Sequence, residues 1–139
     1  MIGHWMINGS CLCGNVKFRI SGEPSSLSYC HCSRCRKAAG VFSAVLIGKA
    51  GDLEVTEGQD KIARYKVEPD GKFNRCFCKD CGTSLGDMAS GDIYVVAASA
   101  LDDDPGIRPS LHIHTASKPD WYPIDDNLKK FEGDYVPET

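Results

Sequence analysis

Apolar and polar residues alternate in short runs along this chain, and turns punctuate the runs. Val16-Lys-Phe18-Arg-Ile20 alternates strictly and predicts a half-buried strand, ended by Gly22-Glu-Pro24. Asp52-Leu-Glu-Val-Thr56 and Ile62 to Val67 alternate in the same way. Val41 to Ile47 and Asp92 to Ala98 are more continuously apolar, as buried strands are, and Leu27 to Cys32 and Phe73 to Cys78 are further strand candidates. Ser33 to Gly40 is small and basic and predicts a turn or short helix. Leu128 to Phe131 predicts a short terminal helix, and Asp102-Asp-Asp-Pro105-Gly106 a solvated loop. Many short strands at such intervals make a mainly β domain with few short helices.

The chain has 139 residues, the size of one domain with one core, so residues 1–139 are read as a single domain. Its 42% hydrophobic and 25% charged residues are those of a globular protein. No apolar run is long enough to span a bilayer. The net charge of -3, with no long run of lysine or arginine, gives no reason to expect nucleic acid or an anionic membrane as partner. Met1 to Ser10 lacks a basic stretch followed by an apolar one, so no secretion signal is expected.

Eight cysteines change the picture. They fall in Cys11-Leu-Cys13-Gly14, Cys30-His-Cys32-Ser-Arg-Cys35 and Cys78-Lys-Asp-Cys81-Gly82, with Cys76 apart. A C-x2-C pair aims both sulfurs at one point, and a C-x-C pair on an extended strand puts both on one face. An even count also suits a disulfide framework. Against that reading, sulfurs at C-x-C spacing do not readily bridge each other, and a domain of this length needs no staples. Reduced thiolates on zinc, in the cytoplasm, are the expectation.

The glycines suggest how the sulfurs are shared. Gly14 and Gly82 directly follow Cys13 and Cys81. There the backbone can turn with positive φ and aim N–H groups at sulfur. Half-sites 11/13 and 78/81 then make a closed four-cysteine site, which is structural. Cys30, Cys32 and Cys35 remain as three ligands with the fourth position open, the arrangement of a catalytic zinc. Cys76 complicates this division. It is read as a core or pocket-edge thiol, but spacing also permits it as a fourth ligand to the triad, or a set 76/78/81 with 11 and 13 elsewhere.

Arg34, Arg36 and Lys37 surround the triad, either as a solvated basic turn or as an attractor for an anionic substrate. His31 lies between two ligands and on a strand faces away from the metal. His112 and His114 alternate with Ile113 and so share a face; they are read as satisfied structural histidines, although either could reach the triad.

These motifs resemble a known family. Gly9-Ser-Cys11-x-Cys13-Gly14-x-Val16-x-Phe18, Cys30-His-Cys32-Ser-x-Cys35-Arg-Lys37 and Arg75-x-Phe77-Cys78-x2-Cys81-Gly82-Thr are similar to the glutathione-dependent formaldehyde-activating enzyme family, which also contains centromere protein V. Pro109-x2-His112-Ile, Trp121 and Asp126-x-Leu-x2-Phe131 match more loosely, so the resemblance covers about residues 9–131. It implies an Mss4-like, mainly β fold. It implies a structural zinc on Cys11, Cys13, Cys78 and Cys81 and a second zinc on Cys30, Cys32 and Cys35, and it favours Cys76 as a non-ligand. The activity it implies is a carbon–sulfur lyase reaction: condensation of formaldehyde with glutathione to S-hydroxymethylglutathione, and its reversal. The expected partners are glutathione or a related thiol and an aldehyde. A non-catalytic module with two structural zincs stands as the alternative, and an oxidisable metal-buffer role as a third.

Overall fold

The computed structural model describes residues 6–66 and 74–137. Eleven strands and one α-helix follow in chain order among the described residues. They are β1 (Met6–Ser10), β2 (Lys17–Ser21), β3 (Ser26–Cys30), α1 (Ser33–Ala39), β4 (Ser43–Lys49), β5 (Leu53–Glu57) and β6 (Ile62–Tyr65). β7 (Arg75–Cys78), β8 (Ser84–Ser90), β9 (Ile93–Ala97), β10 (Leu111–Ile113) and β11 (Lys129–Lys130) complete them. A three-stranded sheet has the order β1-β2-β5, and an eight-stranded sheet runs β11-β10-β3-β4-β9-β8-β7-β6. The fold is mainly β, as the alternation predicts. No helix among the described residues is long and apolar enough to cross a membrane.

The alternation of β2 works as its pattern requires. Phe18 and Ile20 are buried while Lys17 and Ser21 face water. Ile7 on β1 sits opposite Ile20 and joins them. Leu46, Leu85, Tyr94 and Val96 from the large sheet complete one hydrophobic cluster with these residues. A shared core therefore links the two sheets, and burial of such side chains is the main favourable term in the fold.

Three expectations are corrected, and two strands went unpredicted. The segment Leu128 to Phe131 is not helical: β11 pairs in parallel with β10, and the Phe131 amide donates to the His112 carbonyl at 2.9 Å. Its i,i+3 apolar spacing fits a helix, but a four-residue helix is unstable alone and an open sheet edge supplies partners. β1 and β8 carry too few inward apolar residues to announce themselves, since β8 buries the polar Asp87. The loop Asp102 to Asp104 is exposed yet not merely solvated. Asp103 accepts from the Asn8 amide at 2.8 Å, Asp102 accepts from Ser10 Oγ at 2.7 Å, and Asp104 pairs with Arg108 at 2.9 Å. Finally, β10 ends at Ile113, and His114 adopts a left-handed φ of 56°, so the two histidines do not continue one strand face. Val67 and Phe73 lie outside the described residues.

Phe18→Ala is expected to destabilise the protein by about 3–5 kcal/mol in denaturant unfolding. Leu12→Ala, at a side chain 88% exposed, is expected to stay within about 0.5 kcal/mol.

Candidate metal centres and an adjoining cavity

Two hairpin ends build the first cysteine cluster. Cys11 and Cys13 lie in the turn between β1 and β2; Cys78 ends β7 and Cys81 lies in the turn to β8. The four sulfurs lie within 4.8 Å of one another. Cys11 and Cys13 Sγ are 3.7 Å apart, and Cys13 and Cys78 Sγ 3.8 Å apart. A tetrahedral zinc with Zn–S bonds of about 2.3 Å has sulfur–sulfur edges of about 3.8 Å, so this cradle fits the ion. Gly14 and Gly82 have φ of 82° and 78°, the left-handed turn expected after each second cysteine. Their amides, however, close the turns onto the carbonyls of Cys11 and Cys78, at 3.1 and 2.7 Å, rather than onto sulfur. Cys11 Sγ receives the Val16 amide at 3.2 Å, and Cys81 Sγ lies 3.2 Å from Thr83 Oγ1.

Packed thiols cannot all ionise without a cation among them, so they share charge unequally. The Thr83 hydroxyl, then backbone amides, pull Cys81 down to about 5. The Asn15 amide lowers Cys13, but burial and the neighbouring sulfurs outweigh it and push that thiol up to about 12. A soft divalent metal would relieve this frustration directly.

The second cluster is local. Cys30 ends β3, Cys32 caps α1 through its sulfur, which accepts the Cys35 amide at 3.3 Å, and Cys35 lies in the first turn. Their three sulfurs also lie within 4.8 Å of one another, and among the described residues no fourth Cys, His, Asp or Glu joins them. The same crowding acts here: the Cys30 thiol holds Cys32 well below the ordinary thiol range, while Cys32 holds Cys30 well above it. Cys76, buried on β7 between Arg64 and Gly86, belongs to neither cluster. No cysteine is bridged.

A cavity of ≈ 500 Å³ has a lining that includes Arg34, Lys37, Tyr65, Arg75, Cys76 and Phe77; no triad cysteine lines it, and Arg34 and Arg75 connect it to the triad. That volume suits a small molecule. Three of its walls are cationic, and no carboxylate lines it among the described residues. Arg34 and Lys37 thus turn one face to the cavity, whereas Arg36 does not line it. Arg75 bridges cavity and cluster, because its Nη1 donates to Cys35 Sγ at 3.4 Å. Burial works most strongly against the Arg75 charge, but the hydrogen bond to Cys35 and the charges of Cys35, Cys32 and Cys30 together outweigh it, raising the guanidinium above its ordinary value. Reading the sequence missed Arg75 as a functional residue. The signal was its place in Arg75-x-Phe77-Cys78, one strand residue before Cys76.

The buried histidines serve the frame around the triad. His31 Nε2 and His112 Nδ1 are 2.8 Å apart, and His112 Nε2 donates to Asp126 at 2.9 Å. With both rings neutral, His112 accepts from His31 and donates to the carboxylate. His31, just past the end of β3, stacks on Tyr122, lies tilted against Phe42 and does not join the sulfur cluster. His112 is therefore a satisfied structural histidine, not a neighbour of the triad. The relay ties the end of β3, which carries Cys30, to β10 and the segment after it.

Two outcomes follow from this geometry. A Cβ at Gly82 would meet nothing within 4 Å, so Gly82→Ala carries only the left-handed backbone penalty, about 1–2 kcal/mol in denaturant unfolding. The His112 hydrogen bond holds the Asp126 carboxyl below its ordinary value of 3.8. A lowered carboxyl adds stability above that ordinary value and loses it as pH falls through the folded value. Asp126→Asn is thus expected to lower Tm at pH 7, with the gap to the parent protein closing as pH falls below 4, measured by thermal unfolding across pH.

The sequence model of glutathione-dependent formaldehyde-activating enzymes matches residues 6–117. A Halomonas elongata protein provisionally named a glutathione-dependent formaldehyde-activating enzyme is 35% identical over 129 residues, which cover 86% of this chain and 82% of that one. An uncharacterized lyase of Schizosaccharomyces pombe is 27% identical over 131 residues, 92% of each chain. A crystal structure of a Rhodobacter sphaeroides protein superposes with a TM-score of 0.56 at 24% identity, over 73% of this chain and 91% of that one, a likeness of fold. The matched span holds both cysteine clusters and the residues that line the cavity, and the chain belongs to the glutathione-dependent formaldehyde-activating enzyme family.

Proposed function

We propose that this protein is a zinc-dependent carbon–sulfur lyase that forms and cleaves the adduct of a glutathione-type thiol with formaldehyde or a related aldehyde. The observation that carries the reading is the three-sulfur cluster of Cys30, Cys32 and Cys35, with no fourth protein ligand among the described residues, connected through Arg34 and Arg75 to a basic cavity. The four-sulfur cluster is the structural site in this reading, and the triad is the catalytic one. Zinc at the triad supplies a Lewis acid that keeps a substrate sulfur deprotonated near neutral pH and can polarise an aldehyde oxygen.

The remaining work falls to the chain. In the forward direction the thiol sulfur attacks the aldehyde carbon, a carbon–sulfur bond forms, the carbonyl π bond breaks, and its oxygen takes up a proton. The proton lost by the thiol balances the one gained. Arg34, Lys37 and Arg75 hold the carboxylates of the thiol and so fix where its sulfur lies, which lowers the entropic part of the barrier. Three cations with no lining carboxylate select an anionic thiol over a neutral one. The eight unbridged cysteines support a reducing setting, and the reading sets the protein in the cytoplasm as a single domain.

Cys32→Ser tests the assignment. The variant is expected to keep the fold and the zinc of the four-cysteine cluster, to lose the second zinc, and to lose formaldehyde–glutathione condensation. Metal analysis, circular dichroism and a condensation assay read these together. Full turnover with only one zinc bound would remove the triad from the chemistry.

A further inference from the structure

Arg75 stands out because, among the described residues, its charge is met by sulfur and no carboxylate pairs with it. It is half-buried on β7, opposite Tyr65 on β6. Among the described residues its side-chain hydrogen-bond partner is the Cys35 sulfur, at 3.4 Å from Nη1. Its Nε is buried and has no hydrogen-bond partner among the described residues. The same side chain lines the cavity that Arg34 and Lys37 also line. A guanidinium offers five N–H donors in a rigid plane, and one sulfur engages one of them. A partly desolvated cation with spare donors facing a cavity is a site for a planar anion.

We propose that Arg75 is a two-sided positioning residue, steadying the Cys35 sulfur with one N–H and binding a carboxylate of the substrate thiol with the others. This deepens the lyase reading and rests on it for the identity of the thiol. Because one planar group touches both partners, it fixes the separation between the bound carboxylate and the triad. A thiol whose carboxylate sits at the matching distance from its sulfur is then aligned with the triad, while a neutral thiol gains nothing from Arg75. Lysine cannot substitute fully: a single ammonium on a flexible stem does not hold two partners in one plane.

The test separates recognition from chemistry by using S-methylglutathione, which keeps both carboxylates and has no free thiol. Its dissociation constant would be measured by calorimetry for the zinc-loaded parent protein, Arg75→Met and Arg75→Lys. A chromophoric chelator would titrate the zinc of each protein in parallel. Loss of a charge-assisted hydrogen bond predicts binding weaker by about tenfold to a hundredfold in Arg75→Met, with partial recovery in Arg75→Lys. The chelator is expected to remove the more weakly held zinc more readily from Arg75→Met and to leave the other unchanged. Condensation with glutathione is expected to fall, with that of 2-mercaptoethanol changing far less. Unchanged S-methylglutathione binding, or unchanged zinc release, would overturn the two-sided role. An equal loss with glutathione and 2-mercaptoethanol would do the same, since it would mark a residue that serves Cys35 alone. A parent protein that binds S-methylglutathione through Arg75 yet never condenses formaldehyde would defeat the lyase reading and leave this one standing.

Discussion

Crowded sulfur is the constraint on which the structure turns. Four thiols from two hairpins sit at tetrahedral spacing, and three more sit at the start of α1. Neither group can carry its full negative charge alone, so each demands a cation. The first demand has an architectural effect. Cys11 and Cys13 belong to a hairpin of the small sheet, while Cys78 and Cys81 belong to a hairpin of the large one. An ion there would join the two sheets, which share the core of Phe18, Leu46 and Val96. It also closes a loop of some 65 residues, which restricts the unfolded chain.

The second demand is met differently. The triad is local in sequence, so a bound ion adds little to the fold by loop closure. Its frame is supplied instead by the His31–His112–Asp126 relay, which anchors the end of β3 to β10 and the segment after it. A metal in the first cluster would thus serve architecture, while the histidines position the second. The triad is in turn linked to the cavity through Arg34, which lies between Cys32 and Cys35, and through Arg75, which donates to Cys35.

The sequence made the β character and the cysteine groups legible because both are local. Val16 to Ile20 shows its burial in five letters, and Cys30-x-Cys32-x2-Cys35 shows its metal geometry in six. Gly14 and Gly82 even predicted their left-handed turns, though their amides went to carbonyls. What stayed hidden depends on distant partners. β11 exists because β10 offers an edge, and Asp103 has a role because β1 passes it 95 residues away in sequence. The pairing of His31 with His112, 81 residues apart, is invisible to any periodicity. Arg75 was legible as a letter in a motif, but its link to Cys35 required the large sheet to bring β7 up to α1.

The central claim is that the triad holds a zinc with room for a substrate thiol. Native mass spectrometry of the purified protein with added glutathione tests it most directly. The account predicts two zincs per chain and one glutathione, with the glutathione and one zinc lost together in Cys32→Ser. Two firmly held zincs that never admit a thiol would contradict it and would make the triad a second structural site.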